Sequence, residues 1–386
     1  MNKTIKTLHL WVPNIFEFKG GIQVYSGFLL KALQELKPYH QLEVFLKHDT
    51  AIPASFQENS DIIFHVAGQW PAQLRTPVFA IQLALNAVIS KPDLILSTHL
   101  NFTPVAYWLK QSLGIPYWAV AHGVDAWNIN KPGLQQALQG ADKILAVSNY
   151  TRDRLLKEQD LRPEQVIVLP NTFDGSQLAP AQKPRYLLDR YGLKPEQPVI
   201  LTVARLDTSE RYKGYDPILR ALPKILQVIP NACYVLVGKG KDRSRIEALV
   251  QELGVESHTI LAGFVPDEEI RDYYNLCDIF AMPSKGEGFG IVYLEALACG
   301  KPVLGGNQDG AIDALCQGEL GLLIDPDDVE AIAHTIIEVL MGQSEHPRIY
   351  QPSILSQNVT EIYGVESFKR KLEAIFNGFQ TRVGEV

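Results

Sequence analysis

Residues 284–304 read SKGEGFGIVYLEALACGKPVL and hold the densest chemistry in the chain. Gly286, Gly288 and Gly290 form a turn after the apolar run 279–282 and before a helical pattern at 291–298. A helix that opens behind glycines presents backbone N–H groups to whatever lies ahead of it, and a phosphate is the natural guest. Glu287 lies in the turn and Glu295 in the helix, eight residues on. Eight residues is a little over two helical turns, so Glu295 can project on the side that faces the turn. Its neighbours Leu294, Ala296, Leu297 and Ala298 are apolar, which argues against a purely solvated acid. A carboxylate there can accept hydrogen bonds from two vicinal hydroxyls, such as those of a ribose.

Such a turn needs a rigid sheet beneath it. Short apolar runs fall at 7–12, 41–46, 94–97, 117–121, 143–147 and 165–169, then at 199–203, 233–237, 259–262, 279–282, 302–304 and 321–324. Helical stripes lie between many of them: Ile22, Tyr25, Leu29, Leu33 and Leu36 in one, Ile246, Leu249, Val250 and Leu253 in another. Strand–helix alternation predicts an α/β protein with parallel sheets covered on both faces, and right-handed crossovers make the units doubly wound. The pattern restarts after a polar stretch, 174–198, that holds Pro180, Pro184, Pro195 and Pro198. The expected division is therefore an N-terminal domain, 1–181, and a C-terminal domain, 182–364. A connector is expected at 353–364. A last helix follows at about 365–386, with Phe368, Leu372, Ile375, Phe376 and Phe379 on its apolar side, and is expected to return to the N-terminal domain. Ligands of open α/β sheets bind beyond the carboxyl ends of the strands, so two such domains are expected to share one cleft.

Composition excludes several classes. The 386 residues include 46% apolar and 20% charged residues, an ordinary globular balance. With 36 basic against 43 acidic residues, the net charge of −7 lacks the basic excess of a nucleic-acid binder. Cys233, Cys277, Cys299 and Cys316 form no CxxC pair, so they read as free thiols rather than a zinc or redox site. The apolar stretch 8–12 is too short for a secretory signal core, and no stretch reaches about 18 apolar residues. A cytoplasmic protein is expected, with the inner face of the membrane as an option. Trp11, Ile15, Phe16 and Phe18, and the weakly charged segment 69–91, are the candidates for contact with an apolar acceptor tail or a peripheral membrane surface.

The Glu–seven–Glu element with its glycine turn resembles the signature of the retaining family 4 glycosyltransferases, which have the GT-B fold. Further marks of that family stand in the same order along about 300 residues: Gly20–Gly21, Ala121–His122–Gly123–Val124–Asp125, Val203–Ala204–Arg205–Leu206 with Lys213–Gly214, and Val237–Gly238–Lys239–Gly240. The resemblance implies two Rossmann-like domains and transfer of a hexosyl unit from a nucleoside-diphosphate sugar to an acceptor hydroxyl. Polysaccharide, lipid-linked oligosaccharide or glycolipid synthesis is the implied setting, and the acceptor a sugar or a lipid-linked sugar.

It also assigns roles. Arg205 and Lys213 would bind the donor diphosphate, where fixed cations stabilise the charge that grows on a leaving group. Glu287 would hold donor-sugar hydroxyls and Glu295 the nucleotide ribose. Backbone amides around Phe289, Gly290 and Ile291 would hold the distal phosphate. His122 would stand beside the donor sugar, and Val265 near the base. The Gly20–Gly21 turn and the glycines Gly238 and Gly240 would let the backbone approach the donor or acceptor closely. No cofactor is implied.

Two motifs are set aside. Asp325–Pro326–Asp327 spells a metal motif of another glycosyltransferase fold, but it precedes a helical pattern at 329–340, and Asp327 or Asp328 reads better as a helix cap. The run 238–243 lacks the third glycine of a dinucleotide fingerprint. The loop Gly305–Gly306–Asn307–Gln308–Asp309–Gly310 departs from the family's Gly–Gly–x–Pro–Glu pattern and leaves the donor open. A retaining hydrolase would need a second flanking carboxylate, and none is evident, so front-face transfer is expected. The competing readings are a nucleotide-sugar epimerase or phosphorylase on the same fold, and a non-catalytic nucleotide-sugar-binding subunit.

Overall fold

The computed structural model describes residues 5–17, 20–57 and 61–383. The chain forms two compact units, residues 1–172 with 365–386, and residues 173–364.

The first unit is built on a seven-stranded parallel sheet in the order β3-β2-β1-β4-β5-β6-β7. Its strands are β1 (Ile5–Val12), β2 (Tyr39–Leu46), β3 (Ile62–Val66), β4 (Leu94–Ser97), β5 (Tyr117–Ala121), β6 (Lys143–Ala146) and β7 (Val166–Val168). The central strands are buried on both faces, which is why they read as almost unbroken apolar runs. β3 has no counterpart among the expected strands. It is an edge strand, and Ile63 is exposed, so only part of its apolar signal is used for burial.

The second unit has a six-stranded sheet in the order β10-β9-β8-β11-β12-β13. Its strands are β8 (Val199–Val203), β9 (Cys233–Val237), β10 (Thr259–Gly263), β11 (Ile279–Met282), β12 (Val303–Gly306) and β13 (Leu322–Ile324), again all parallel. The order of each sheet runs outward from its first strand, then reverses and continues on the other side. That is the doubly wound pattern, with its switch point beside β1 in the first unit and beside β8 in the second.

Three expectations are corrected. The division falls between Thr172 and Phe173 rather than near Gln182. Residues 173–198 are tied to the second unit: the Ala181 N–H donates to Asn275 Oδ1 at 2.8 Å, and Lys183 Nζ to Asp278 Oδ2 at 2.6 Å. The segment also holds a helix, Arg185–Tyr191, with Leu187 and Leu188 buried. The expected connector is the helix Pro352–Tyr363. Proline suits its first turn, and Leu355, Val359 and Tyr363 recur every fourth residue on its buried side.

The last helix, Val365–Val383, belongs to the first unit. Phe368 meets Tyr25 edge-on at 5.8 Å, Phe376 lies 5.0 Å from Trp118, and Lys369 Nζ reaches Glu35 Oε2 at 2.6 Å. Trp11, a candidate for apolar contact, is fully buried in the core, and Phe16 packs on Phe56 at 5.1 Å. Phe18 lies outside the described residues. The helix Ala72–Ser90 buries Phe79, Leu83 and Ala87 and exposes Leu74, Ile81, Leu85, Val88 and Ile89, the last at 80%. Among the described residues no helix is long and apolar enough to cross a membrane.

Candidate functional site

In the second unit the switch point lies between β8 and β11. Arg205 follows β8, and a short 3-10 segment, Thr208–Lys213, carries Lys213. The glycine turn follows β11. Here the chain brings together three of the expected residues and one unexpected one. Lys213 Nζ contacts Glu287 Oε1 and lies 3.8 Å from Glu210 Oε2; Glu210 Oε1 accepts from Arg205 Nη2 at 2.8 Å. Two cations and two carboxylates thus alternate along one line. Burial opposes the charge on Lys213, but Glu287 and Glu210 outweigh it and raise its pKa. Glu210 was not singled out from the sequence. Its signal is an acid in the short run between two expected phosphate-binding cations.

The turn itself is clamped from below. Asp309 is buried, and its Oδ2 accepts from Ser284 Oγ at 2.6 Å, the Gly286 N–H at 2.8 Å and the Glu287 N–H at 2.7 Å. Its Oδ1 accepts the Ala311 N–H at 2.9 Å. The Gly310 N–H donates to the Glu287 carbonyl at 2.8 Å, and a Cβ on Gly310 would stand 2.1 Å from the Gly288 oxygen. Burial lifts the Asp309 pKa to about 6 against these bonds. The loop that departs from the family pattern therefore uses Asp309 to fix the backbone on which Glu287 stands. The 3-10 segment is docked on the same turn, with the Lys285 N–H donating to the Tyr212 carbonyl at 2.9 Å.

Glu295 lies on the helix Ile291–Ala298 and accepts from Tyr274 Oη at 2.6 Å. Tyr274 is fully buried, a partner that the sequence did not reveal. Gly290 caps this helix with φ +89°, and Phe289 is buried against Tyr363, 5.3 Å between rings. Ile291, the first helical residue, is partly exposed. Beyond β9 the glycines serve the chain itself. Cβ atoms on Gly238 and Gly240 would stand 1.8 and 1.9 Å from the carbonyl oxygens of Ala204 and Leu206. Those directions are filled by the Arg205 segment, so the chain's own packing requires glycine at both positions. Val265 is buried, while its neighbour Phe264 is exposed under Lys239 Nζ, 4.5 Å from the ring centroid. Asp328 caps the helix Val329–Leu340 by accepting the Ala331 N–H at 2.9 Å, and Asp327 pairs with Lys285.

His122, Gly20 and Gly21 belong to the first unit. His122 follows β5. Its Nε2 lies 2.9 Å from the Thr98 carbonyl, which can only accept, so the ring proton sits on Nε2 and Nδ1 is left as an acceptor. Burial lowers its pKa to about 4, and the bond to Thr98 offsets this only in part. The imidazole is therefore neutral at pH 7, edge-on to Tyr25 at 5.0 Å. Gly20 is the N-cap of the helix Gly21–Leu36, with no side-chain cap. A Cβ on Gly21 would meet nothing within 4 Å, so the chain's own packing does not require a glycine there.

Comparisons with known proteins agree on the family. Residues 187–353 match the family described as Glycosyl transferases group 1, and residues 19–177 the one described as Glycosyltransferase Family 4. The chain is 32% identical over 340 residues to the GDP-mannose-dependent alpha-(1-6)-phosphatidylinositol monomannoside mannosyltransferase of Mycobacterium tuberculosis, covering 84% of this chain and 86% of that protein. It is also 32% identical over 235 residues to the Mycolicibacterium smegmatis protein of the same name, covering 58% of this chain and 60% of that one. HepE of Anabaena in complex with UDP superposes with a TM-score of 0.77 at 21% identity, over 97% of this chain and all of that one, a likeness of fold. The chain belongs to glycosyltransferase family 4 and is a glycosyltransferase of GT-B fold.

Proposed function

We propose that the chain is a retaining transferase that moves a hexosyl unit from a nucleoside-diphosphate sugar to an acceptor hydroxyl in glycolipid or polysaccharide synthesis. The observation that carries this reading is the line Arg205–Glu210–Lys213–Glu287 at the switch point of the second unit. A diphosphate entering there takes over the cations from Glu210, and Glu287 accepts from sugar hydroxyls. Glu295 takes the ribose hydroxyls, with Tyr274 holding one of its oxygens. His122, neutral, accepts a hydrogen bond from a donor-sugar hydroxyl at Nδ1. The two relatives are named as GDP-mannose-dependent, which favours GDP-mannose as the donor.

In the proposed step the bond from the sugar's anomeric carbon to the diphosphate oxygen breaks, and a bond to the acceptor oxygen forms on the same face. The acceptor's proton passes to the leaving diphosphate oxygen. Arg205 and Lys213 stabilise the charge on that leaving group. The exposed apolar face of Ala72–Ser90 supports an acceptor at a lipid surface, on the inner side of the membrane.

The test is thermal stability of the chain with UDP, GDP, ADP and NAD at equal concentration. A ligand at 100 times its dissociation constant adds about 2.7 kcal/mol, a readable shift in melting temperature. Selective stabilisation by GDP, followed by consumption of GDP-mannose only when an acceptor is present, is the expected result. Stabilisation by NAD alone overturns the reading, and conversion of the donor without acceptor replaces it with an epimerase.

A further inference from the structure

The residue that faces both phosphate-binding cations of the second unit is itself an anion. Glu210 Oε1 accepts from Arg205 Nη2 at 2.8 Å, and Oε2 lies 3.8 Å from Lys213 Nζ. The second contact is too long for a hydrogen bond. Oε2 is buried and has no hydrogen-bond partner among the described residues. A buried oxygen left in that state costs stability, so packing alone does not account for a carboxylate here. Its two oxygens are divided between the two cations, as two oxygens of a bound diphosphate would be.

The neighbouring charges are engaged in other ways. Glu287 contacts Lys213 as well, but it stands on the clamped turn, where Asp309 holds its N–H at 2.7 Å. Asp207 accepts the Ser209 amide and hydroxyl at 3.1 and 2.7 Å and so closes its own turn. Arg211 is paired with buried Asp242 at 2.9 Å. Glu210 sits at the irregular step of its 3-10 segment, with φ −116° and ψ 21°. In the ligand-free chain it gives Arg205 and Lys213 the counter-charge that a cation needs away from water.

A diphosphate changes that balance. The charge of Glu210 then stands beside the phosphates, and the repulsion grows with the charge of the ligand. A nucleoside diphosphate ends in a phosphate whose second pKa is near 6, and its sugar ester lacks that ionisation. At about pH 7.5 the product therefore carries about one negative charge more than the donor. Glu210 opposes the product more than it opposes the donor.

We propose that Glu210 is an internal stand-in for the diphosphate: it occupies Arg205 and Lys213 in the ligand-free chain and, once displaced, favours the donor over the product and speeds release of the nucleoside diphosphate. The identity of the ligand rests on the transferase reading above; the competition rests on the geometry of Arg205, Glu210 and Lys213.

The experiment titrates the full chain and its Glu210→Gln variant calorimetrically with GDP and with GDP-mannose, without acceptor, at about pH 7.5. Glutamine keeps the shape of the side chain and removes its charge. GDP should bind the variant about tenfold or more tightly, the scale of one charge at short range in a half-buried site. GDP-mannose should tighten by a smaller factor. Affinity differences between related complexes lie mostly in dissociation, so stopped-flow displacement should show GDP leaving the variant more slowly by a similar factor. Added salt should narrow the gap. Glu210→Ala should move both ligands in the same direction, and it supplies the reading if the glutamine variant does not fold. Unchanged or weaker GDP binding in the folded variants overturns the proposal and makes Glu210 a bystander or a support of the ligand. So does equal tightening of both ligands, which leaves no preference for the donor. Either result leaves the transferase reading standing when the parent chain binds GDP. A parent chain that binds no nucleoside diphosphate overturns that reading, and the stand-in role with it.

Discussion

Lys213 and Arg205 are unequal partners in the same task. Lys213 is enclosed by two carboxylates, while Arg205 is half exposed and pairs with Glu210. Both would face the diphosphate, where losing one stabilising charge costs about 10²–10³ in turnover. Arg205→Ala and Lys213→Ala are each expected to lower kcat by that factor in a donor-consumption assay, and near-normal rates in both would remove the diphosphate assignment. The variants should differ in stability. Lys213→Ala removes the cation between Glu210 and Glu287, so its melting temperature should fall, whereas an exposed ion pair such as that of Arg205 contributes little.

The glycine turn after β11 is rigid because a second loop, after β12, is built into it. Asp309 gathers one hydroxyl and two amides of the turn on a single oxygen. Asp309→Asn replaces a four-bond acceptor with a group that places an NH2 against donors on one side. Leaving buried donors unsatisfied costs about 1–3 kcal/mol. Urea denaturation should show a loss of that size, and the affinity for GDP should weaken as the turn loses its position. A variant with native stability would mean that water or backbone movement replaces the clamp.

The chain passes between its two units twice, at 172–173 and at 364–365, and its last helix completes the core of the first. Acid sensitivity of the molecule has an identifiable source in that unit. Glu43 is buried between His65, 2.9 Å away, and His9, 3.6 Å away. The hydrogen bond from His65, with His9 close by, holds its pKa at about 2, against an ordinary value of 4.5. In this window the unfolded chain binds more protons than the folded one. The stabilisation from Glu43 is therefore complete above about pH 4.5 and is lost as pH falls towards 2. Glu43→Gln should be most destabilised near neutral pH, and its deficit in urea denaturation should shrink between pH 4.5 and 2. A deficit that stays constant would place the loss in packing rather than charge.

The strands 94–97, 117–121, 199–203, 233–237 and 279–282 could be read to the residue, because a strand buried on both faces is an almost unbroken apolar run. β3 could not, since an edge strand needs burial on one side only, and the helix Pro352–Tyr363 went unread as a connector although Leu355, Val359 and Tyr363 carry the helical spacing. The same division runs through the site. Glu287, Glu295, Arg205, Lys213 and His122 were evident from residue type and from their places at strand ends. Their partners were not. Lys213 meets Glu287 across 74 residues, Asp309 meets the Glu287 amide across 22, and Tyr274 meets Glu295 across 21. Periodicity and turn chemistry act over a few residues, so they determine elements and where those elements end. Which ends become neighbours depends on the order of strands in the sheet, and only that order decided that Glu210 and Asp309 stand beside Glu287.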